Sequence, residues 1–164
     1  MKVFVKLVAV SMIFLCLLGL IQNKVVAEYN QSVENSILSK VEQETLGLIN
    51  QERTSRGLNI LKLDSTLQYL AEEKAEDIVK NNYFAHYSNK YGSAFDMMKS
   101  ANVEYRVAGE NLAESPDIKE AVNAWMNSES HRENILDENF QYTGMAVIKT
   151  KDRGYIFVEM FICK

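Results

Sequence analysis

The chain has 164 residues, of which 47% are apolar, 10% aromatic and 24% charged. That is the length of one domain with enough apolar content for a core, which excludes a disordered chain and makes two full domains cramped. A net charge of −4 lacks the basic face of a general nucleic-acid binder, and two cysteines are too few for a disulfide scaffold or a cysteine zinc cluster.

Lys2 and Lys6 precede an almost wholly apolar run, Leu7 to Ile21, and Val25-Val26-Ala27 has the small-residue pattern of a signal-peptidase site. Residues 1–27 read as a signal peptide. The alternative is a retained anchor, but a bilayer span needs ~20 apolar residues and this run is shorter. Phe14-Leu15 is too bulky before Cys16 for lipoprotein cleavage. Cleavage removes Lys2, Lys6 and Lys24 and no acid, leaving 15 basic against 22 acidic residues, a net of −7. It also leaves Cys163 alone, so the exported domain has no internal disulfide.

Residues 28–40 are a flexible lead into the first helix, and the domain itself spans 41–164. From Ile37 the apolar positions Ile37, Leu38, Val41, Thr45, Leu48 and Ile49 have helical spacing, and Gly57 ends that helix or lies just beyond it. Asp64 or Ser65 caps a second helix that buries Leu67, Leu70, Ala71, Ala75, Ile78 and Val79. A loop runs from Asn81 to Gly92. Ser93 opens a shorter helix with Phe95, Met98 and Ala101 inward, and Val107 to Leu112 is extended. Ser115 caps, and Pro116 begins, a helix burying Ile118, Ala121, Val122, Trp125 and Met126. Tyr142 to Thr150 and Tyr155 to Ile162 are strands joined by a turn at Lys151-Asp152-Arg153-Gly154. The last strand is apolar on both faces, so both faces are covered. The fold class is α+β: a three-layer α-β-α sandwich on a small, mainly antiparallel sheet.

The chemistry-bearing candidates are few. His86 lies in the loop. Ser130 and Glu133 have capping-box spacing, which places His131 first in a short helix. A helix N-terminus disfavours imidazolium and keeps a lone pair for a metal or a proton. Either histidine read alone also fits a surface or hydrogen-bonded structural residue. Glu110, in Gly109-Glu110-Asn111, is a solvated acid or a site carboxylate. No H-E-x-x-H, G-x-S-x-G or phosphate-binding loop is present, no serine is marked as a nucleophile, and Cys163 reads as structural.

Four segments taken together carry a resemblance. They are Phe84-Ala85-His86-Tyr87-Ser88; Ala108-Gly109-Glu110-Asn111-Leu112-Ala113; Ala124-Trp125-Met126-Asn127-Ser128 with His131-Arg132-Glu133-Asn134-Ile135-Leu136; and Tyr142-Thr143-Gly144-Met145-Ala146-Val147. Leu48 to Arg53 and Leu61 to Asp64 add to them. In order and spacing the chain resembles the CAP superfamily (cysteine-rich secretory proteins, antigen 5 and pathogenesis-related 1; the SCP domain), in its cysteine-poor bacterial branch. The resemblance implies an α-β-α sandwich and a cleft of two histidines and one or two glutamates that in some members binds a divalent metal such as zinc. His86, Glu110 and His131 match that pattern as metal ligands, with Glu110 the candidate catalytic base. Eukaryotic members carry a second glutamate where this chain has Ser128. Glu159 stands where the branch often has glutamine, and is the candidate fourth cleft acid; a salt bridge to Arg132 or a lysine is its other reading.

The resemblance implies no single reaction. The first expectation is a secreted or cell-wall-associated binding or signalling module holding a metal or small ligand, its partner an extracellular protein, lipid or cell-wall ligand, with no nucleic acid and no membrane anchor after cleavage. The second is a metal-assisted hydrolase of peptide or cell-wall substrates. A purely structural secreted domain leaves unexplained why both histidines fall on the motif.

Overall fold

The computed structural model describes residues 40–164 and, before them, Gln22 and Lys24. The expected signal peptide and the lead before residue 40 otherwise lie outside the described residues. Among the described residues no helix is long and apolar enough to cross a membrane.

The first helix, α1, covers 40–54, and Gly57 (φ +77°) turns the chain out of it. Strand β1 is only Lys62–Leu63, and α2 follows at Ser65–Lys80. Asp64 is the α2 cap: its carboxylate accepts from the amides of Thr66 and Leu67. Helix α3 spans Ala94–Ser100 behind a capping box of Ser93 and Asp96. Strand β2 runs Val107–Ser115, helix α4 Ile118–Asn127 and helix α5 Glu129–Leu136. Strands β3, Tyr142–Lys149, and β4, Tyr155–Cys163, close the fold.

The sheet order is β1-β3-β4-β2. β4 pairs antiparallel with β2 and with β3, while β1 pairs parallel with β3, so the sheet is mixed. The alternation along β4 divides the core in two. Ile156, Val158, Met160 and Ile162 join Leu67, Leu70, Ala71, Ile78 and Met98 of α2 and α3. Phe157 and Phe161 join Ile49 of α1, Ala121, Val122 and Trp125 of α4 and Ile135 of α5. Helices therefore cover both faces, which is the expected three-layer sandwich.

One open sheet edge is finished by side chains rather than by a strand. β1 reaches only Tyr142 and Thr143 of β3. Beyond it Gln68 of α2 both accepts from the Met145 amide (3.0 Å) and donates to the Met145 carbonyl (2.6 Å), and Glu42 of α1 accepts from the Val147 amide. Such a cover blocks pairing with a foreign strand. Gly144 allows it: a Cβ there would lie 2.1 Å from the Leu67 carbonyl carbon.

Four local expectations are corrected. Helix α3 turns Ala94, Met97 and Met98 inward, at i, i+3 and i+4, and leaves Phe95 (46%) and Ala101 exposed. β2 does not stop at Leu112, because it pairs with β4 as far as Ser115↔Tyr155. That pairing holds Ser115 in the strand, so the α4 cap is Asp117, whose Oδ1 accepts from the Glu120 amide, and Pro116 lies outside the helix. Helix α5 begins at Glu129, so Ser130 is already helical and the cap position falls to Ser128.

Candidate functional site

The site is built on the outer strand β2. Glu110 pairs with Met160 and so faces the α2 and α3 layer; Asn111 pairs with Glu159 and faces the α4 and α5 layer. His86 arrives from the first side and His131 from the second, near enough for the charge of one to act on the other.

The loop from Asn81 to Gly92 is rigidly held. Asp77, buried in α2, accepts at Oδ2 from the Ser88 hydroxyl (2.6 Å) and the Tyr83 hydroxyl (2.6 Å), and at Oδ1 from the Asn81 amide (2.8 Å). Burial pushes the Asp77 carboxyl up, but these three donors outweigh it and hold it below the usual range. Ser88 and Gly92 exchange main-chain hydrogen bonds across the loop's far end, where Gly92 has φ +75°. Within this frame His86 Nδ1 lies 2.6 Å from Glu110 Oε2. The Glu110 side chain is 4% exposed and that of His86 61%, so the carboxylate forms the floor and the ring the rim. The hydrogen bond to Glu110 raises the His86 pKa above its ordinary value, against the lowering effect of partial burial. Glu110 Oε1 is buried with no hydrogen-bond partner among the described residues.

His131 is the third residue of α5. Its main-chain carbonyl accepts from Asn111 Nδ2 (3.1 Å), and Asn134 of α5 donates to Asn111 Oδ1 (2.9 Å) and to the Glu110 carbonyl (3.3 Å). These bonds stitch α5 to β2. Gly109 makes room for them, since a Cβ there would stand 2.9 Å from Asn134 Oδ1. The expected capping box of Ser130 and Glu133 is absent. Ser128, at the cap position, makes no side-chain bond to the helix amides; its hydroxyl meets His131 Nδ1 at 2.7 Å. Burial lowers the His131 pKa, and the charge of His86 lowers it further.

Glu159 sits on β4 beside Asn111. It faces away from Glu110, is wholly buried, and accepts from Thr143 Oγ1 at 3.3 Å. Burial pushes its carboxyl up to about 8, against the hydrogen bond from Thr143 and the charge of Arg53. Neither Arg132 nor a lysine bridges to it: Arg132 donates to the Met126 carbonyl. Glu159 is a core carboxyl that burial holds toward its protonated form.

Cysteine-rich secretory proteins, the CAP family, provide a family model that matches residues 46–164. The chain belongs to this family. Within it, the chain is 44% identical over 130 residues to YkwD of Bacillus subtilis (strain 168), covering 79% of this chain and 49% of that protein. An SCP-domain extracellular protein of Bacillus anthracis has the same fold at TM-score 0.70 and 32% identity, over 78% of this chain and 42% of its own. An outer surface protein of Borrelia burgdorferi matches at TM-score 0.71 and 26% identity, over 76% of this chain and 93% of its own. The chain therefore spans about half the length of YkwD.

The family's metal pattern fits this CAP domain in part. Among the described residues no three His, Cys, Asp or Glu side chains are grouped as a three-ligand metal site. Each imidazole, however, has Nδ1 engaged by a neighbour, Glu110 for one and Ser128 for the other, and neither Nε2 has a partner among the described residues. A carboxylate behind an imidazole is the usual support of a metal-binding histidine. Glu110 occupies that place behind His86 Nδ1, with its buried Oε1 unpartnered among the described residues. The roles of Asp77, Ser128, Asn111 and Asn134 escaped the sequence reading, because they depend on bonds between residues distant in the fold or on ring contacts rather than on local spacing.

Proposed function

We propose that this CAP domain is an exported binding or signalling module whose cleft takes a divalent metal ion, such as zinc, through His86 and His131. The observation that carries the reading is the paired restraint of the two rings at Nδ1. With Nδ1–H donating to Glu110 or Ser128, each Nε2 keeps its lone pair, the form zinc prefers. Glu110 orients His86 by taking its Nδ1 at Oε2. A bound metal would supply a fixed positive charge for an anionic group of a partner or small ligand. Export is supported by the apolar Leu7–Ile21 segment and by relatives described as extracellular or as an outer surface protein.

The test is expression of the full chain in a bacterial host, followed by fractionation and zinc titration of the recovered protein. The reading expects the protein in the medium or cell-wall fraction and a melting temperature that rises with zinc and falls back with a chelator. His86→Ala and His131→Ala should each abolish the rise. A zinc-independent melting temperature in the wild type would overturn the metal assignment; retention with the membrane would overturn export. Turnover of peptide or peptidoglycan by the loaded protein would move the assignment to a hydrolase with Glu110 as base.

A further inference from the structure

We infer that Lys74 is a positioning residue of the cleft: its ammonium fixes the main chain of His86 and offsets the charge of the Glu110 carboxylate behind that ring. Lys74 lies on α2 one turn before Asp77, and its side chain is wholly buried. Lysine is rarely buried completely, because an ammonium ion is expensive to desolvate without compensation. The compensation here is specific. Nζ donates to the His86 carbonyl at 2.6 Å and stands 5.8 Å from the centre of the Tyr83 ring. The carboxylates whose charge it senses are Glu110 and Asp77, which oppose the lowering of its pKa by burial.

The two charged residues of α2 divide the work. Asp77 secures Asn81, Tyr83 and Ser88 on both sides of the histidine, whereas Lys74 alone reaches the histidine's own main chain. Glu110 Oε2 then takes the ring of the same residue. His86 is thus held at its carbonyl by a cation and at its ring by the anion which that cation attends. An apolar residue at position 74 would fill the volume but supply neither contact.

This inference deepens the metal reading of the same cleft, and the experiment separates the two. Full-chain Lys74→Met and Lys74→Arg are compared with wild type by thermal melting, by 15N NMR of the histidine rings and by zinc titration. Lys80→Met, on the exposed end of α2, is the control. Lys74→Met should melt cooperatively yet shift the His86 ring nitrogens and weaken zinc binding 10- to 100-fold, the usual loss when a residue supporting a ligand is removed. Lys74→Arg should recover part of both effects, and Lys80→Met should change neither. Unmoved His86 ring resonances in a folded Lys74→Met would overturn the inference. If the wild type binds no zinc, the metal reading fails and the ring resonances alone decide the role of Lys74. If Lys74→Met does not fold, Lys74→Gln, which keeps a donor but not the charge, carries the same two readouts.

Discussion

Replacing Glu159 by glutamine should stabilise the protein at neutral and alkaline pH. The side chain is wholly buried between the strands, its Oε1 accepts from Thr143 Oγ1, and its Oε2 has no partner among the described residues. Its carboxyl is raised from 4.5 to about 8 by burial. A raised carboxyl means that the folded state holds the proton more tightly than the unfolded state. Its contribution to stability is complete below pH 4.5, declines as pH rises, and levels off above about 8. At about 1.4 kcal/mol per pH unit, the window between pH 5 and pH 8 costs the wild type roughly 3–4 kcal/mol through this group alone. Glutamine keeps the carbonyl that Thr143 needs and cannot ionise.

The assay is urea unfolding of wild type and Glu159→Gln at pH 5 and at pH 8. Subtracting the two proteins at each pH removes the contributions of other titrating groups, among them Glu42, which burial raises to about 7 and which moves stability in the same direction. The variant should be within about 1 kcal/mol of wild type at pH 5 and more stable by roughly 3–4 kcal/mol at pH 8. A difference that stays constant between the two pH values would refute the reasoning, since it would mean that Glu159 does not carry its proton into the folded core.

Three further outcomes follow from packing and buried hydrogen bonds. Gly144→Ala forces a Cβ to 2.1 Å from the Leu67 carbonyl carbon, where backbone must shift, and should cost about 3 kcal/mol or more in denaturant unfolding. Arg53, wholly buried, donates to the carbonyls of Asn59, Ile135, Asp137 and Phe140, so Arg53→Met should leave these acceptors unpaired and destabilise by about 3–5 kcal/mol, with the segment after α5 losing amide protection first. Trp125→Phe removes the Nε1 bond to the Leu112 carbonyl (2.9 Å) that ties α4 to β2, and should cost about 1–3 kcal/mol in the same unfolding assay.

Where the sequence was legible, the governing interactions were local or periodic. The alternation of Ile156, Val158, Met160 and Ile162 against Phe157 and Phe161 named both faces of β4, because a strand's side chains alternate whatever packs on them. The inward face of α2 was legible for the same reason at helical period. The two-residue β1 was not, since Lys62 and Leu63 become a strand only by pairing with β3. Caps were read two residues off at α4 and α5. Ser115 and Ser130 are as good caps as Asp117 and Ser128 by composition, and strand pairing and the ring of His131 decided between them.

The site shows the same division more sharply. His86 and Glu110 were candidates by residue type with a bland reading beside each, only the resemblance put them in one site, and their contact joins residues 24 apart in the chain. Lys74 and Asp77 were hidden because they occupy the buried face of an amphipathic helix, where the period leads one to expect apolar side chains. Arg53 and Gln68 were hidden likewise, since each satisfies main-chain groups more than 75 residues away. In each of these cases a polar residue at an apolar position marks a long-range bond, because a buried polar group without one would be too costly to keep. Glu159 tests that rule from the other side. It interrupts an apolar face with only one of its oxygens partnered, and neutralisation takes the place of a second partner. Polar interruptions of a buried face therefore show where the chain makes its distant contacts, and the bonds around His86 are the ones that tie its loop to α2 and β2.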